Sequence, residues 1–308
     1  MVMSQAQYKV QQIEGDNMRR KGLDLFSVVN TAVMLALIFV TLYPFLYLIN
    51  VSLSSQLYVM RNEVFFWPKG FTLEWYKLVF DDKRIGLGFR NSLMYTVLEV
   101  ILSLSVTSMG AFALSQSKMI CRRQFSLAIT FTILFGGGMI PSYLVAKQIG
   151  IIDTIWGMVL PGFVSTYNLL VFRTFFEGLP KELLEAGEID GMTDLGVFFR
   201  IIVPLSIPVY AAIGLFVAVG MWNNFYNSMI YLMRNSDLFP LQMILRDLII
   251  RGQLAADAMA RTASSERDTV VVSLKYATII VSTVPIIIVY PFLQKYFVKG
   301  MLLGSLKA

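Results

Sequence analysis

Three carboxylates and a glycine are gathered in one short charged stretch, Glu182, Glu185, Asp190 and Gly191, set between two long apolar runs. Their chemistry is charge display and helix capping. Pro180 suits the first turn of a helix, Glu182 and Glu185 favour its positive N-terminal end, and Gly191 suits a left-handed cap, so one short helix ends near Asp190. Thr193 or Asp194 can cap a second helix whose apolar members Leu195, Val197, Phe198, Ile201 and Ile202 run on until Pro204. Two short helices meeting at a glycine make a compact knob.

A second set, Trp222, Asn223, Asn224, Tyr226 and Asn227, lies deep in the apolar run 205–233. Amides exchange hydrogen bonds with hydroxyls, and flat rings offer apolar faces. In lipid such groups face a partner helix or a wet cavity, so a ligand pathway, interhelical bonding and an interfacial aromatic belt all fit. Glu99 is the acid placed well inside another apolar run. An intramembrane carboxylate is a functional candidate, and a protonated or paired structural role stands beside a role in a pathway.

Covalent chemistry has little to work with. The chain has no histidine and one cysteine, Cys121, which removes zinc sites and His-dependent triads and leaves no internal disulfide. No metal site and no phosphate loop is present; Gly136, Gly137 and Gly138 lack the following lysine and read as close helix packing or a local break. A non-catalytic chain that binds no cofactor itself is expected.

The elements that must position these groups are helices in a bilayer. With 56% hydrophobic and 15% charged residues and a mean hydropathy of +0.65, the composition is that of a polytopic membrane protein. Six runs, 25–50, 87–114, 125–145, 155–176, 205–233 and 270–293, each reach the roughly 20 residues a bilayer requires. The first follows Arg19, Arg20 and Lys21 and passes any small-residue cleavage site, so it reads as an uncleaved start-transfer helix. Compact Lys and Arg clusters place both termini and the Glu185 knob on the cytoplasmic side. The net charge of +6 is scattered at span ends with no continuous stripe, which argues for pairing with membrane lipid and against nucleic acid. The outer loop 51–86 carries Phe65, Phe66, Trp67, Pro68, Phe71, Trp75 and Tyr76, suited to docking or to anchoring a short helix at the bilayer surface. The loop near 246–267 reads as a helix and a solvated turn, with docking as its functional alternative.

The wording EAxxxDG, then a Phe, then IxxPLxxP, resembles the EAA signature of permease subunits in bacterial ABC importers. Glu185, Ala186, Asp190 and Gly191 match its characteristic positions, while Gly187 stands where a second alanine is usual, at roughly 1 kcal/mol of helix propensity. The stretch from FGGGMIPSYLVAKQIG through EAGEIDG, and the tail SLKYATIIVSTVPIIIVYPFLQKYFVKGMLLGSLK, are similar to permeases of carbohydrate-uptake, maltose-type importers of oligosaccharides or polysaccharide fragments. The resemblance covers nearly the whole chain after about residue 25. It implies an all-α polytopic protein with six transmembrane helices and the type I ABC importer permease fold: a cytoplasmic segment 1–24, a membrane domain 25–293 with coupling helices at 180–203, and a cytoplasmic tail 294–308.

It further implies a second permease subunit, two ATPases that hold ATP and Mg, and an extracytoplasmic solute-binding protein that delivers sugar. Ile189, Met192, Phe198 and Phe199 are expected to seat in a hydrophobic cleft of the ATPase, with Glu182, Glu185 and Asp190 meeting basic partners at its rim. The tail, with Lys295, Lys299 and Lys307, either reaches the ATPase or lies as a basic terminus at the membrane. Sugars suit the amide and aromatic set around Asn224. Two other classes remain: an ion-coupled secondary transporter, which only Glu99 favours, and a non-transporting scaffold, which the intramembrane amides disfavour.

Overall fold

The computed structural model describes residues 25–259, 273–288 and 291. Among these residues every regular element is helical. The chain divides into two compact units, Met1–Phe71 and Thr72–Ala308.

In the first unit, helix α1 (Leu25–Ser52) is long and apolar enough to cross a bilayer. Two of its hydroxyls turn back onto their own backbone, Thr31 Oγ1 to the Ser27 carbonyl at 2.7 Å and Thr41 Oγ1 to that of Leu37 at 2.8 Å, so neither is left unpaired toward lipid. After it comes the one-turn helix α2 (Gln56–Met60). The loop then folds back: Asn50 Nδ2 donates to the Phe65 carbonyl at 3.3 Å, the Lys69 amide donates to Ser54 Oγ at 3.0 Å, and Phe66 lies against Tyr43 with ring centroids 5.4 Å apart. Gly70 sits here at φ 62°, where an added Cβ would stand 2.6 Å from Ser55 Oγ.

The second unit is organised on one long helix. After the short α3 (Glu74–Asp81), Asp82 caps α4 (Lys83–Ser115) by accepting the Arg84 amide at 2.9 Å. The Arg84 guanidinium also bonds Asp82 and holds its carboxyl below the ordinary value, which keeps the cap ionised. Along the chain follow α5 (Arg122–Leu134), α6 (Met139–Gln148), α7 (Ile155–Val159), α8 (Thr166–Glu177), α9 (Lys181–Ile189), α10 (Asp194–Leu205), α11 (Ile207–Trp222), α12 (Tyr226–Tyr231), α13 (Leu241–Met259) and α14 (Ser273–Ile288). Helix α4 packs against α8, α11 and α13. The buried core has three clusters: one joins Phe112, Phe172, Phe198 and Ile202; a second joins Trp75, Trp222, Leu241 and Ala277; a third joins Tyr95, Met158 and Met221.

The apolar runs map onto helices, but several are not continuous. Among the described residues only α1 and α4 are single helices long enough and apolar enough to span; α5 and α6 form a pair bent by 116°, α10 and α11 a pair bent by 82°. The break in the third run falls at residues 135–138, with Gly138 at φ 81°, so the local-break reading of the glycine triplet is the one realised. The fourth run is interrupted between α7 and α8 where Pro161 lacks a donor and Gly162 takes φ 89°. The fifth is broken at Ser206 and again at residues 223–225. Of the sixth, the described part is α14, and the tail 294–308 and the segment 1–24 lie outside the described residues.

The N-terminal half of α4 anchors the chain before α13 through groups 143 to 149 residues away: Asn91 Nδ2 donates to the carbonyls of Asp237 and Phe239 at 2.7 and 3.2 Å, Tyr95 donates to that of Leu238 at 2.8 Å, and the Leu241 amide donates to Ser92 Oγ at 2.9 Å. Gly88 lets the two backbones approach, since a Cβ there would lie 3.1 Å from Leu241 Cα and 2.5 Å from Ile244 Cδ1. A Gly88→Val protein is therefore expected to lose about 1–3 kcal/mol of stability by overpacking, read as a lower unfolding midpoint in detergent; an unchanged midpoint would show that α13 can shift at no expense.

Candidate functional site

Local rules build the knob. Helix α9 begins at Lys181, with Pro180 just outside it at φ −58° and not within its first turn. It ends at Ile189 in a closed cap: the Met192 amide donates to the Gly187 carbonyl at 2.9 Å and the Gly191 amide to that of Glu188 at 3.0 Å, a Schellman arrangement that needs the left-handed φ of 76° at Gly191. Thr193 then caps α10, its Oγ1 accepting the Gly196 amide at 3.3 Å. Gly187 is buried where α9 meets α10, and an added Cβ would stand 2.9 Å from Ile201 Cδ1 and 3.1 Å from Val197 Cγ2. The glycine at the motif's usual alanine thus marks a close helix crossing, which the propensity argument did not foresee.

Helix α10 does not stop at Pro204. Residues Phe198–Ile202 form a π-turn, the Val203 amide donates to the Phe198 carbonyl, and the helix runs on to Leu205. The wider turn supplies bonding just ahead of the proline, which has no N–H of its own to give. The same geometry divides the apolar residues. Ile189, Leu195 and Phe199 are 85%, 62% and 59% exposed, whereas Phe198 is buried against Phe112 at 5.3 Å and belongs to the chain's own core. Phe198 is therefore not available to a partner, and Leu195 takes its place on the open face. Met192 is half-buried; Glu182, Glu185, Ala186 and Asp190 are exposed.

Charged groups around the knob were not singled out from sequence beyond their sign. Lys118, between α4 and α5, bonds Glu188 at 2.6 Å, and this hydrogen bond holds its ammonium above the ordinary lysine value. Two hollows of about 350 and 330 Å³ share Lys118 and Glu188 as walls. Arg122 donates to the Leu114 carbonyl at 2.7 Å, satisfying one of the last carbonyls of α4, and pairs with Glu177, which Arg173 also bonds at 2.9 Å. The basic residues flanking Cys121 carried only an orientation signal in the sequence.

The amide and aromatic set lies at the break between α11 and α12, and the fold separates its members. Trp222 is buried in an apolar cluster, its Nε1 donating to the Ser282 carbonyl at 3.1 Å and its ring meeting Phe89 edge-on. That is the interhelical role, not a wall of an open path. Asn224 Oδ1 accepts the Asn227 amide at 3.0 Å and starts α12; Asn227 Nδ2 reaches the carbonyls of Met158 and Pro161 at 3.2 and 3.4 Å. Asn223 is exposed, donating to the Val219 carbonyl and meeting Gln242. Tyr226 and Asn227 do line a cleft of about 710 Å³, together with the glycine break at 136–138, Ser142, Pro161 and Tyr231. Across it Tyr226 donates to Met139 Sδ at 3.2 Å. Glu99 is half-buried on α4 and makes no hydrogen bond or ion pair with any described residue.

Residues 23–303 match the family described as binding-protein-dependent transport system inner membrane component. The chain is 40% identical over 271 residues to Protein LplC of Bacillus subtilis, covering 87% of this chain and 90% of that one. It is 35% identical over 283 residues to the polygalacturonan/rhamnogalacturonan transport system permease protein YtcP of the same organism, covering 92% and 98%. A chain in the crystal structure of a bacterial ABC transporter involved in the import of the acidic polysaccharide alginate superposes with a TM-score of 0.79 at 32% identity, over 89% of this chain and 96% of that one. With its all-helical architecture, its helix breaks and this likeness over most of its length, the chain belongs to the binding-protein-dependent transport system inner membrane components and has the type I ABC importer permease fold.

Proposed function

We propose that the chain is the permease subunit of an ATP-driven importer of oligosaccharides or polysaccharide fragments, forming one half of the translocation pathway beside a second permease. The observation that carries the coupling role is the knob: three large apolar side chains, Ile189, Leu195 and Phe199, stand exposed on a segment rimmed by Glu182, Glu185 and Asp190. A folded chain has no reason of its own to hold them in water, and an ATPase groove with basic edges would cover them.

Two ATPases, holding ATP and Mg, bind at these knobs on the cytoplasmic side, where both termini of the chain also lie. Their closure moves α9 and α10 together, because Gly187 seats one helix directly on the other and Lys118 ties Glu188 to the end of α4. Motion of α4, which packs on α8, α11 and α13, then exchanges inward-facing for outward-facing packings. A solute-binding protein delivers sugar on the outer side, and the cleft beside Tyr226 and Asn227 is the part of the path this chain contributes. Asn227 bonds hydroxyls and Tyr226 offers its ring to a pyranose face. This chain makes and breaks no covalent bond.

The carbohydrate reading is supported by the relatives' names and by the uncharged cleft, whose polar side chains are Ser142, Tyr226, Asn227 and Tyr231. An ion-coupled carrier would call for paired titratable groups at the midplane; among the described residues Glu99 stands without one. Reconstituted in liposomes with its partners, the complex is expected to hydrolyse ATP faster when the loaded binding protein is added. Gly191→Pro, which removes both the left-handed φ and a capping amide, is expected to lower that stimulated rate at least tenfold while the assembly survives; full stimulation and uptake in this variant would sink the coupling role. Leu195→Asp and Phe199→Asp alter side chains that this chain leaves exposed, so each is expected to reduce co-purification of the ATPase without lowering the permease's own unfolding midpoint.

A further inference from the structure

Beyond the cleft, one cation is placed where a structural role does not account for it. Arg246 lies in the second turn of α13, half-buried, with its guanidinium carbon 5.7 Å from the centroid of the Phe225 ring. It makes no ion pair with any described residue. The neighbouring Asp247 is not its ion-pair partner: adjacent positions on a helix point apart, and the charge of Asp247 bears on Arg84. Gln242 is one turn before Arg246 on the same face and donates from Nε2 to Asn223 Oδ1 at 3.4 Å. Phe225 and Asn223 belong to the break between α11 and α12, and Tyr226, the next residue, lines the cleft.

A guanidinium attracted to a ring face spends none of its N–H donors there, and that fork of donors can grip a carboxylate through two parallel hydrogen bonds. A partly buried charge without a counter-ion is costly, and an incoming anion removes that cost. The amides alongside have the reach and chemistry for the hydroxyls that flank a sugar carboxylate. We propose that Arg246, held on Phe225 and flanked by Asn223 and Gln242, is a carboxylate-recognising subsite of the pathway, selecting uronate-bearing oligosaccharides over neutral ones. The proposal rests on the reading of the chain as a saccharide permease, and it adds a residue that chooses among saccharides by charge.

The test uses the assembled transporter in nanodiscs without its binding protein, so that selectivity of the binding protein does not enter. Trigalacturonate and its methyl ester, the same trisaccharide with its charge removed, are titrated by calorimetry. The intact complex is expected to bind the acid more tightly than the ester. Arg246→Gln is expected to weaken acid binding about tenfold, the worth of one charge-assisted pair, and to leave the ester within twofold. Arg246→Lys, which keeps the charge without the fork, falls between. Asn223→Ala weakens acid and ester alike. Should Arg246→Gln unfold, Phe225→Leu keeps the charge and removes the platform, with a severalfold loss for the acid alone. Equal affinity of the intact complex for acid and ester, equal loss of both in Arg246→Gln, or binding of neither overturns the subsite. Liposome uptake of a neutral oligosaccharide judges the permease reading separately, so the two can fail independently.

Discussion

A backbone N–H or C=O stranded in hydrocarbon is expensive, and nothing in the bilayer will satisfy it. A chain that breaks its helices at residues 135–138, 160–165, 206 and 223–225 must therefore bring its own partners to each break. The polar side chains are placed accordingly. Asn227 covers the carbonyls of Met158 and Pro161 where α7 ends, Asn91 and Tyr95 cover those of the segment before α13, and Arg122 covers one at the end of α4. Polar groups beyond this requirement remain for the ligand role proposed above, among them Tyr226, the outward part of Asn227 and the group around Asn223.

The knob meets a different constraint. Its position is set by a closed glycine cap, a threonine cap and a glycine at the helix crossing, all short-range devices. Its outer surface is consequently free to be apolar and acidic without taking part in folding. Neighbouring positions on a helix point apart, so Phe198 and, one turn on, Ile202 face inward while Phe199 faces outward within one stretch of helix. The π-turn at Phe198–Ile202 lies within this stretch, and such turns recur at functional sites.

How much of this could be read from the residues follows from the range of the forces involved. The two short helices, their junction at Gly191 and the cap at Thr193 were legible because each obeys a rule spanning a few positions. The direction of Phe198 was not, since a short amphipathic helix does not announce which side is already occupied by α4. The amides and Trp222 looked like one site because they are neighbours in sequence, yet a broken helix sends consecutive residues to different surroundings, and Trp222 serves α14 while Tyr226 faces the cleft. The docking of Gly88, Asn91 and Ser92 onto residues near 240 spans about half the chain and left no local trace, although an asparagine inside an apolar run was a signal open to a closer reading. Trp75, grouped with the outer aromatics, is core for the same reason: α3 turns it toward Trp222's cluster.

The crossing at Gly187 has a mechanical side. At this crossing α9 contributes no side chain of its own, and the ends of Ile201 and Val197 from α10 rest directly on its backbone, so one side-chain layer separates the two helices where two are usual. Under the coupling role proposed above, a joint this thin has less material to compress, and the stroke reaching α4 follows how far the knob travels.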